Sequence, residues 1–259
     1  VTVLQLLAIG SGVAVTLFTL TWVFATKVRN YGFLDVVWSL SVGILAAVYG
    51  WLGSGDATRR VLFSTAALIW SLRLGLYILI RVVRHHPEED KRYQTLRQRW
   101  PGPLRFLLFF ELQALIAVIF SLPFLLAAVD SSTPINTWEW LGIGAALVCT
   151  VGEAVADLQA QRWKRNPTNR NKVINTGLWR YSRHPNYFFE SLVWCFFCIA
   201  ALPIPYGWIT ILCPVLMLYF LLAVTGIPLS EKHSVESRGD AYREYQRTTS
   251  RFIPWFPKR

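Results

Sequence analysis

Polar residues cut the chain into seven long apolar runs. They cover residues 3–25, 33–52, 61–83, 104–129, 138–161, 187–202 and 208–229. A helix that crosses the hydrocarbon core takes roughly 20 mostly apolar residues, and all the runs except the short sixth meet that length or nearly so. The first run has no basic segment before it and no clear cleavage site. It is also longer than the core of a signal peptide, so it reads as a retained helix. The pattern predicts an all-α membrane protein, a bundle of seven transmembrane helices. No fixed-period repeat, low-complexity tract or separating linker interrupts it, so residues 1–259 read as a single domain.

Composition supports this reading. Of the 259 residues, 54% are hydrophobic and only 16% charged, against about 25% charged in an average soluble domain. The mean hydropathy is +0.38. Disorder, a small disulfide scaffold and an ordinary soluble domain are excluded. The formal net charge of +11 is unevenly spread. Alternate connections, at 27–32, 84–105, 162–186 and from 230 onward, hold 22 of the 26 Lys and Arg residues. The opposite connections hold only Arg59 and Arg60, beside Asp56, Asp130 and Glu139. By the positive-inside rule the basic connections and the C-terminus are expected in the cytosol and the N-terminus outside, as an odd number of spans requires. The run 84–105 then reads as a solvated membrane-side loop and not as a nucleic-acid patch.

Ionisable residues are costly inside a bilayer and mark function by default. Here they are Asp35, Arg73, Arg81, Glu111, Glu153, Asp157 and Glu190. Most lie in the cytosolic half of their spans, which suggests a polar cavity open to the cytosol. Glu153, Asp157, Gln161 and Lys164 form one helical stripe. It reads either as a salt bridge to Arg180 or Arg183, or as a polar wall against a hydrophilic ligand.

The segment Gly177-Leu178-Trp179-Arg180-Tyr181-Ser182-Arg183-His184-Pro185-Asn186-Tyr187 is the most informative. Pro185 suits the first position of a helix, whose N-terminal N–H groups favour a phosphate. Arg180 and Arg183 add forked cationic donors, and His184, Asn186 and Tyr187 add further polar groups. Glu190 and Trp194 follow Asn186 at one-turn steps. An interfacial anchor would explain Trp179 and the arginines but not Glu190, so a phosphate-bearing ligand is the better reading.

Other chemistries lack their motifs. The pairs Gly10/Gly12 and Gly142/Gly144 lie in apolar helices with no strand before them, so no dinucleotide fingerprint is present. Walker, HExxH and GxSxG motifs are missing. Cys149, Cys195, Cys198 and Cys213 lie in apolar runs and read as buried small hydrophobes, with no metal site.

From Glu153 to Pro254 the chain resembles the steroid 5-alpha-reductase superfamily, in particular its bacterial branch. The resemblance rests on Glu153-x-x-x-Asp157, Lys164, the 177–187 segment, Glu190, Trp194, Gly226-Ile227-Pro228, Glu231, Tyr242-x-x-Tyr245 and Phe252-Ile253-Pro254. Arg73, Tyr77 and Arg84 in the third span add to it, and Phe33-Leu34-Asp35 is similar to the place of an acidic catalytic pair in the animal enzymes. The resemblance implies seven membrane helices, NADPH in a cytosol-facing cavity, and reduction of a carbon–carbon double bond conjugated to a ketone, with a 3-oxo-Δ4 steroid or another lipid enone as substrate. Matched positions imply cofactor contacts from Arg73, Tyr77, Arg84, Glu153, Asp157, Lys164, Asn186, Tyr187, Glu190 and Trp194. Trp179, Arg180, Arg183 and His184 are further candidates, and Glu231, Arg238 and Tyr245 would close the site from the tail. Residues 1–130 then form the substrate side and 131–259 the cofactor side.

Hydride addition to the β-carbon builds negative charge on the ketone oxygen, which needs a donor or acid in a dry site. Asp35 is the first candidate, because a desolvated carboxyl can stay protonated and donate. A salt-bridged structural Asp35 is the alternative. Two positions depart from the animal pattern. Asp35 is followed by Val36 where those enzymes have a second polar residue. Trp70 stands where they carry a catalytic Tyr, and an indole donates a hydrogen bond but is no general acid. Asp35 therefore acts alone or with Trp38 or a water. Two rivals remain: an S-adenosylmethionine-dependent membrane methyltransferase, since such enzymes share an Arg-His-Pro-x-Tyr segment, and a non-catalytic lipid- or sterol-binding protein. A monomer in the bacterial inner membrane, with a small lipid substrate, membrane lipids and no nucleic acid as partners, completes the expectation.

Overall fold

The computed structural model describes residues 1–100, 102–170 and 172–258. Among them every regular element is helical, and six helical runs are long and apolar enough to cross a membrane. The molecule is a multi-pass membrane protein. The described residues form two compact units. One comprises Val1–Ile143 with Ala200–Thr210, the other Gly144–Ile199 with Ile211–Arg259.

In the first unit, α1 (Val3–Val28) opens with a capping box. Thr2 Oγ1 accepts from Gln5 N at 3.2 Å and Gln5 Oε1 accepts from Thr2 N at 2.9 Å, satisfying two end donors that would otherwise lack partners. Arg29 in the left-handed region, with φ of 55°, ends the helix. Then α2 (Phe33–Leu52) packs along α3 (Ala57–His85) through small residues. Ser71 Oγ donates to Ser39 O at 2.6 Å and Ser64 Oγ to Ala46 O at 2.9 Å. A Cβ on Gly43 would lie 2.5 Å from Ser71 Oγ, so only glycine permits this approach. Between membrane helices, where burial from lipid drives little, close backbone contact and such hydrogen bonds carry the association.

The connection 84–105 is mostly exposed, as its charge predicts, but part of it is helical. Asp90 Oδ1 accepts from Arg92 N at 2.9 Å and caps a short helix, α4 (Lys91–Arg99). This helix is docked: Arg97 pairs with Glu89 at 2.8 Å and lies over the Tyr31 ring at 4.4 Å, while Glu89 Oε1 accepts from Tyr31 N at 2.6 Å. The expected fourth span, 104–129, is broken. It divides into α5 (Pro103–Phe120) and α6 (Leu122–Val129) at Ser121, because Pro123 has no N–H to continue the ladder. Past α6, Arg59 on α3 is 0% exposed. It meets Glu139 at 2.5 Å, Asp130 at 2.8 Å and Thr133 O at 3.2 Å. Three of the sparse charges opposite the basic connections, Arg59, Asp130 and Glu139, thus form one buried network, while Arg60 donates to Gly50 O and Gly53 O.

The second unit contains most of α7 (Thr137–Arg165) and α8 (Pro185–Ala201). The expected sixth span, α8, has 17 residues and falls short of the spanning length met by the six others. The expected seventh, 208–229, is part of a longer helical run, Gly207–Arg238. Its α9 (Leu212–Tyr219) passes through a π turn at Phe220–Val224 into α10 (Ile227–Arg238), which carries polar residues past the apolar run. After Gly239, α11 (Asp240–Thr248) precedes the tail.

Candidate functional site

Each unit holds a constellation of polar side chains on membrane-type helices. In the first unit it begins at Asp35, in the first turn of α2. Asp35 Oδ2 accepts from Arg92 Nη2 at 2.7 Å, and Oδ1 accepts from the Tyr93 hydroxyl at 2.6 Å. Arg81 Nη2 lies 4.0 Å from the same carboxylate. Asp90 braces Arg92 from behind, with contacts of 3.1 Å from Nε and Nη2. Asp35 is thus paired with Arg92, and Arg81 lies at the edge of pairing distance. Of the two expectations for Asp35, the geometry is that of the salt-bridged one: α4 brings it the Arg92 cation and the Tyr93 hydroxyl.

Tyr93 is only 5% exposed. Burial first, and then the charge of Asp35, raises its pKa well above the ordinary value, while Asp35 does the same for Arg92. The phenol therefore keeps its proton and Arg92 its charge. Neither residue was singled out from the sequence. The available signal was local: a capping Asp90 followed by the one aromatic residue of α4.

Trp38 lies one turn beyond Asp35 on α2. Its ring meets Trp70 edge-on at 6.4 Å and Phe120 at 5.3 Å. Its indole Nε1 is buried and makes no hydrogen bond with the described residues. Trp70 is fully buried and forms wall. Further along α3, Arg73 lies 5.8 Å over the Tyr77 ring, and Arg84 is exposed in the last turn.

In the second unit α7 and α8 meet closely. A Cβ on Gly152 would lie 2.6 Å from the Phe189 ring. That approach lets Asn186 Nδ2 donate to Asp157 Oδ1 at 3.2 Å. Asn186 Oδ1 is buried and makes no hydrogen bond with the described residues. Trp194 Nε1 donates to Glu190 Oε1 at 2.9 Å, one turn apart on α8. Glu153, Asp157 and Glu190 are all buried. Tyr187 stacks on His184 at 5.5 Å, and Lys164 is exposed near the end of α7. The predicted stripe thus meets the predicted α8 face.

The rest of the 177–187 segment has another employment. Gly177, at φ of 58°, turns the chain so that Leu178 N donates to Gln159 Oε1 at 2.9 Å and Trp179 Nε1 to Ala156 O at 3.0 Å. Arg183 is 7% exposed. It pairs with Glu231 at 2.6 Å and donates to Gln246 O and Thr249 O at 2.7 Å each. Gln246 Nε2 reaches Glu231 Oε2 at 3.1 Å, and His184 Nε2 lies 3.4 Å from Glu231 Oε1. Burial lowers the pKa of His184, against the pull of Glu231. The Tyr245 hydroxyl donates to Trp179 O and, at 3.3 Å, to Ser182 O. Arg183, His184, Glu231, Tyr245 and Trp179, all expected to touch cofactor, therefore form a clamp that fixes the tail. Arg238 ends α10. Arg180 is not part of this clamp and lines a cavity beside α11, to which Tyr245 and Thr249 also contribute.

The chain matches a family described as a protein of unknown function, DUF1295, over residues 21–249. It is also 26% identical over 270 aligned residues to an uncharacterized protein of Schizosaccharomyces pombe, covering 90% of this chain and 75% of the relative. No solved structure matches it.

Proposed function

The chain belongs to the DUF1295 family of proteins of unknown function, and we propose that it is an NADPH-dependent reductase of lipid enones. The most favoured substrate class is a 3-oxo-Δ4 steroid, reduced to the 5-alpha product. The observation that carries this reading is the buried Tyr93 phenol, hydrogen bonded to an Asp35 that Arg92 and Arg81 flank. An enone reductase needs a proton source beside an apolar chamber. A methyltransferase needs none.

The second unit fits the cofactor. Asp157 and Glu190 are buried acceptors for hydroxyl groups, and the unpartnered Asn186 Oδ1 takes an amide or amine donor. When bound, NADPH supplies a hydride and leaves as NADP+. The chain's own part is the remainder. The enone's β-carbon gains the hydride, its π electrons move towards the oxygen, and its α-carbon gains a proton. Trp38 Nε1, with no other partner among the described residues, donates a hydrogen bond to the oxygen as its charge grows. Tyr93 gives the proton, Asp35 holds its hydroxyl in place, and the Arg92 cation offsets the phenolate charge until solvent restores the proton. Arg73, Tyr77, Arg84 and Lys164 remain cofactor contacts by resemblance. In this reading seven helices cross the membrane, with α8 as the short one, and the basic connections lie in the cytosol.

The test is steady-state consumption of NADPH with 3-oxo-Δ4 steroids by the purified protein and by Tyr93→Phe. Wild-type turnover with a phenylalanine variant slowed about a hundredfold, the lower range for a lost general acid, is expected. Undiminished turnover in the variant would remove the proposed role.

A further inference from the structure

We infer that the second unit carries a separate binding site for an anionic phospholipid, an assignment that does not rest on the reductase reading. A cavity of about 520 Å³ opens between the turn leading into Arg180, α11 and the tail. It is in the size range of small-molecule sites, a few hundred to about a thousand Å³. Its lining includes Asn175, Thr176, Arg180, Glu244, Thr248 and Pro257, and none of Glu153, Asp157, Asn186 or Glu190.

Arg180 is exposed and makes no ion pair among the described residues, unlike the buried Arg183. Glu244, the carboxylate of the lining, is held by Arg247, and Tyr245 has its hydroxyl committed to Trp179 O. The cavity thus offers one available guanidinium with the Asn175 amide and the Thr176 hydroxyl in the same lining, which suits a phosphate diester with a small polar substituent.

What distinguishes a lipid from a soluble phosphate is the surface beside the cavity. Ile253, Trp255 and Phe256 are 64%, 71% and 76% exposed. They are not a loose end. Trp255 N donates to Tyr181 O at 2.9 Å, Lys258 N to Thr248 O at 2.8 Å, and Ser250 Oγ to Ile253 O at 2.5 Å. Phe256 meets Tyr181 edge-on at 5.9 Å. Tyr181 follows Arg180, and Phe256 precedes Pro257, so an ordered apolar strip borders the phosphate-suited cavity. Arg251 and Lys258 flank the strip. Exposed tryptophan and phenylalanine with flanking cations match the chemistry of the headgroup–acyl boundary of an anionic leaflet. The phosphate meets Arg180, and the acyl chains lie along Trp255 and Phe256.

Native mass spectrometry of the full chain in detergent, loaded with phosphatidylglycerol or phosphatidylcholine, tests this. The wild type is expected to retain one phosphatidylglycerol in preference to phosphatidylcholine. Arg180→Gln is expected to lower that preference about fivefold, the effect of one cation near an anionic lipid. Trp255→Ser should weaken retention of both lipids, and Arg105→Gln, an exposed arginine of the other unit, should change neither. Equal retention of the two lipids by wild type would overturn the proposal. So would displacement of phosphatidylglycerol by inorganic phosphate or NADPH at equal concentration, which would mark a soluble-phosphate site. Loss with Arg105→Gln as well would reduce the preference to general charge and refute the site.

Discussion

Replacing Arg183 by glutamine separates a structural clamp from a cofactor ligand. The side chain is 7% exposed and its partners are all protein: Glu231 at 2.6 Å and the carbonyls of Gln246 and Thr249 at 2.7 Å each. The substitution leaves Glu231, itself partly buried, with His184 and Gln246 only. Breaking one side of a buried ion pair costs about 3–5 kcal/mol. The two carbonyl bonds are part of the same loss and are not added to it. At roughly 3 °C per kcal/mol for a chain of this size, melting should fall by about 10 °C. The assay is thermal unfolding in detergent without ligand, followed by NADPH titration well below the new midpoint. The clamp predicts a large fall in melting and near-normal affinity for the protein that remains folded. Unchanged melting together with a lost NADPH affinity would refute it and return Arg183 to the cofactor.

Arg59→Leu should be at least as damaging, because it strands the buried Glu139 and Asp130; melting within a few degrees of wild type would contradict the network. Asp157→Ala and Asn186→Ala should abolish NADPH binding while preserving the melting point. Asp35→Asn should keep NADPH affinity and lose turnover, since it no longer pairs with the Arg92 cation that sits beside the Tyr93 hydroxyl; normal turnover would end its role. For pH, His184 faces Glu231, Arg183 and Arg251 and is held below its ordinary value chiefly by burial. Its neutral form therefore stabilises the fold above about pH 6.5, the unfolded value, and that contribution fades as pH falls towards the folded value. Melting measured against pH should show this slope in wild type and lose it in His184→Gln.

Most of the helices and both halves of the α7–α8 polar face were legible in the sequence, because apolar run length and one-turn spacing are local properties. The break at Pro123 was overlooked because the apolar run continues through it. Docking of α4 was hidden for a different reason. Its charges read as solvated, and only the fold brings Arg92 and Tyr93 to Asp35, some 57 and 58 residues away. Arg183 and Arg180 look alike in the sequence, yet one is locked by backbone carbonyls of the tail and the other faces a cavity. Chemical type was readable there, whereas partnership depends on tertiary contact.

The central claim is hydride transfer from NADPH to a lipid enone. It is tested most directly by anaerobic incubation of the detergent-purified protein with NADPH deuterated at the nicotinamide C4 and a 3-oxo-Δ4 steroid, with a parallel titration of S-adenosylmethionine. The account predicts NADPH binding, loss of the enone absorbance, and one deuterium at the β-carbon of the saturated product. Binding of S-adenosylmethionine with no deuterium transfer would contradict it and make this chain a methyltransferase.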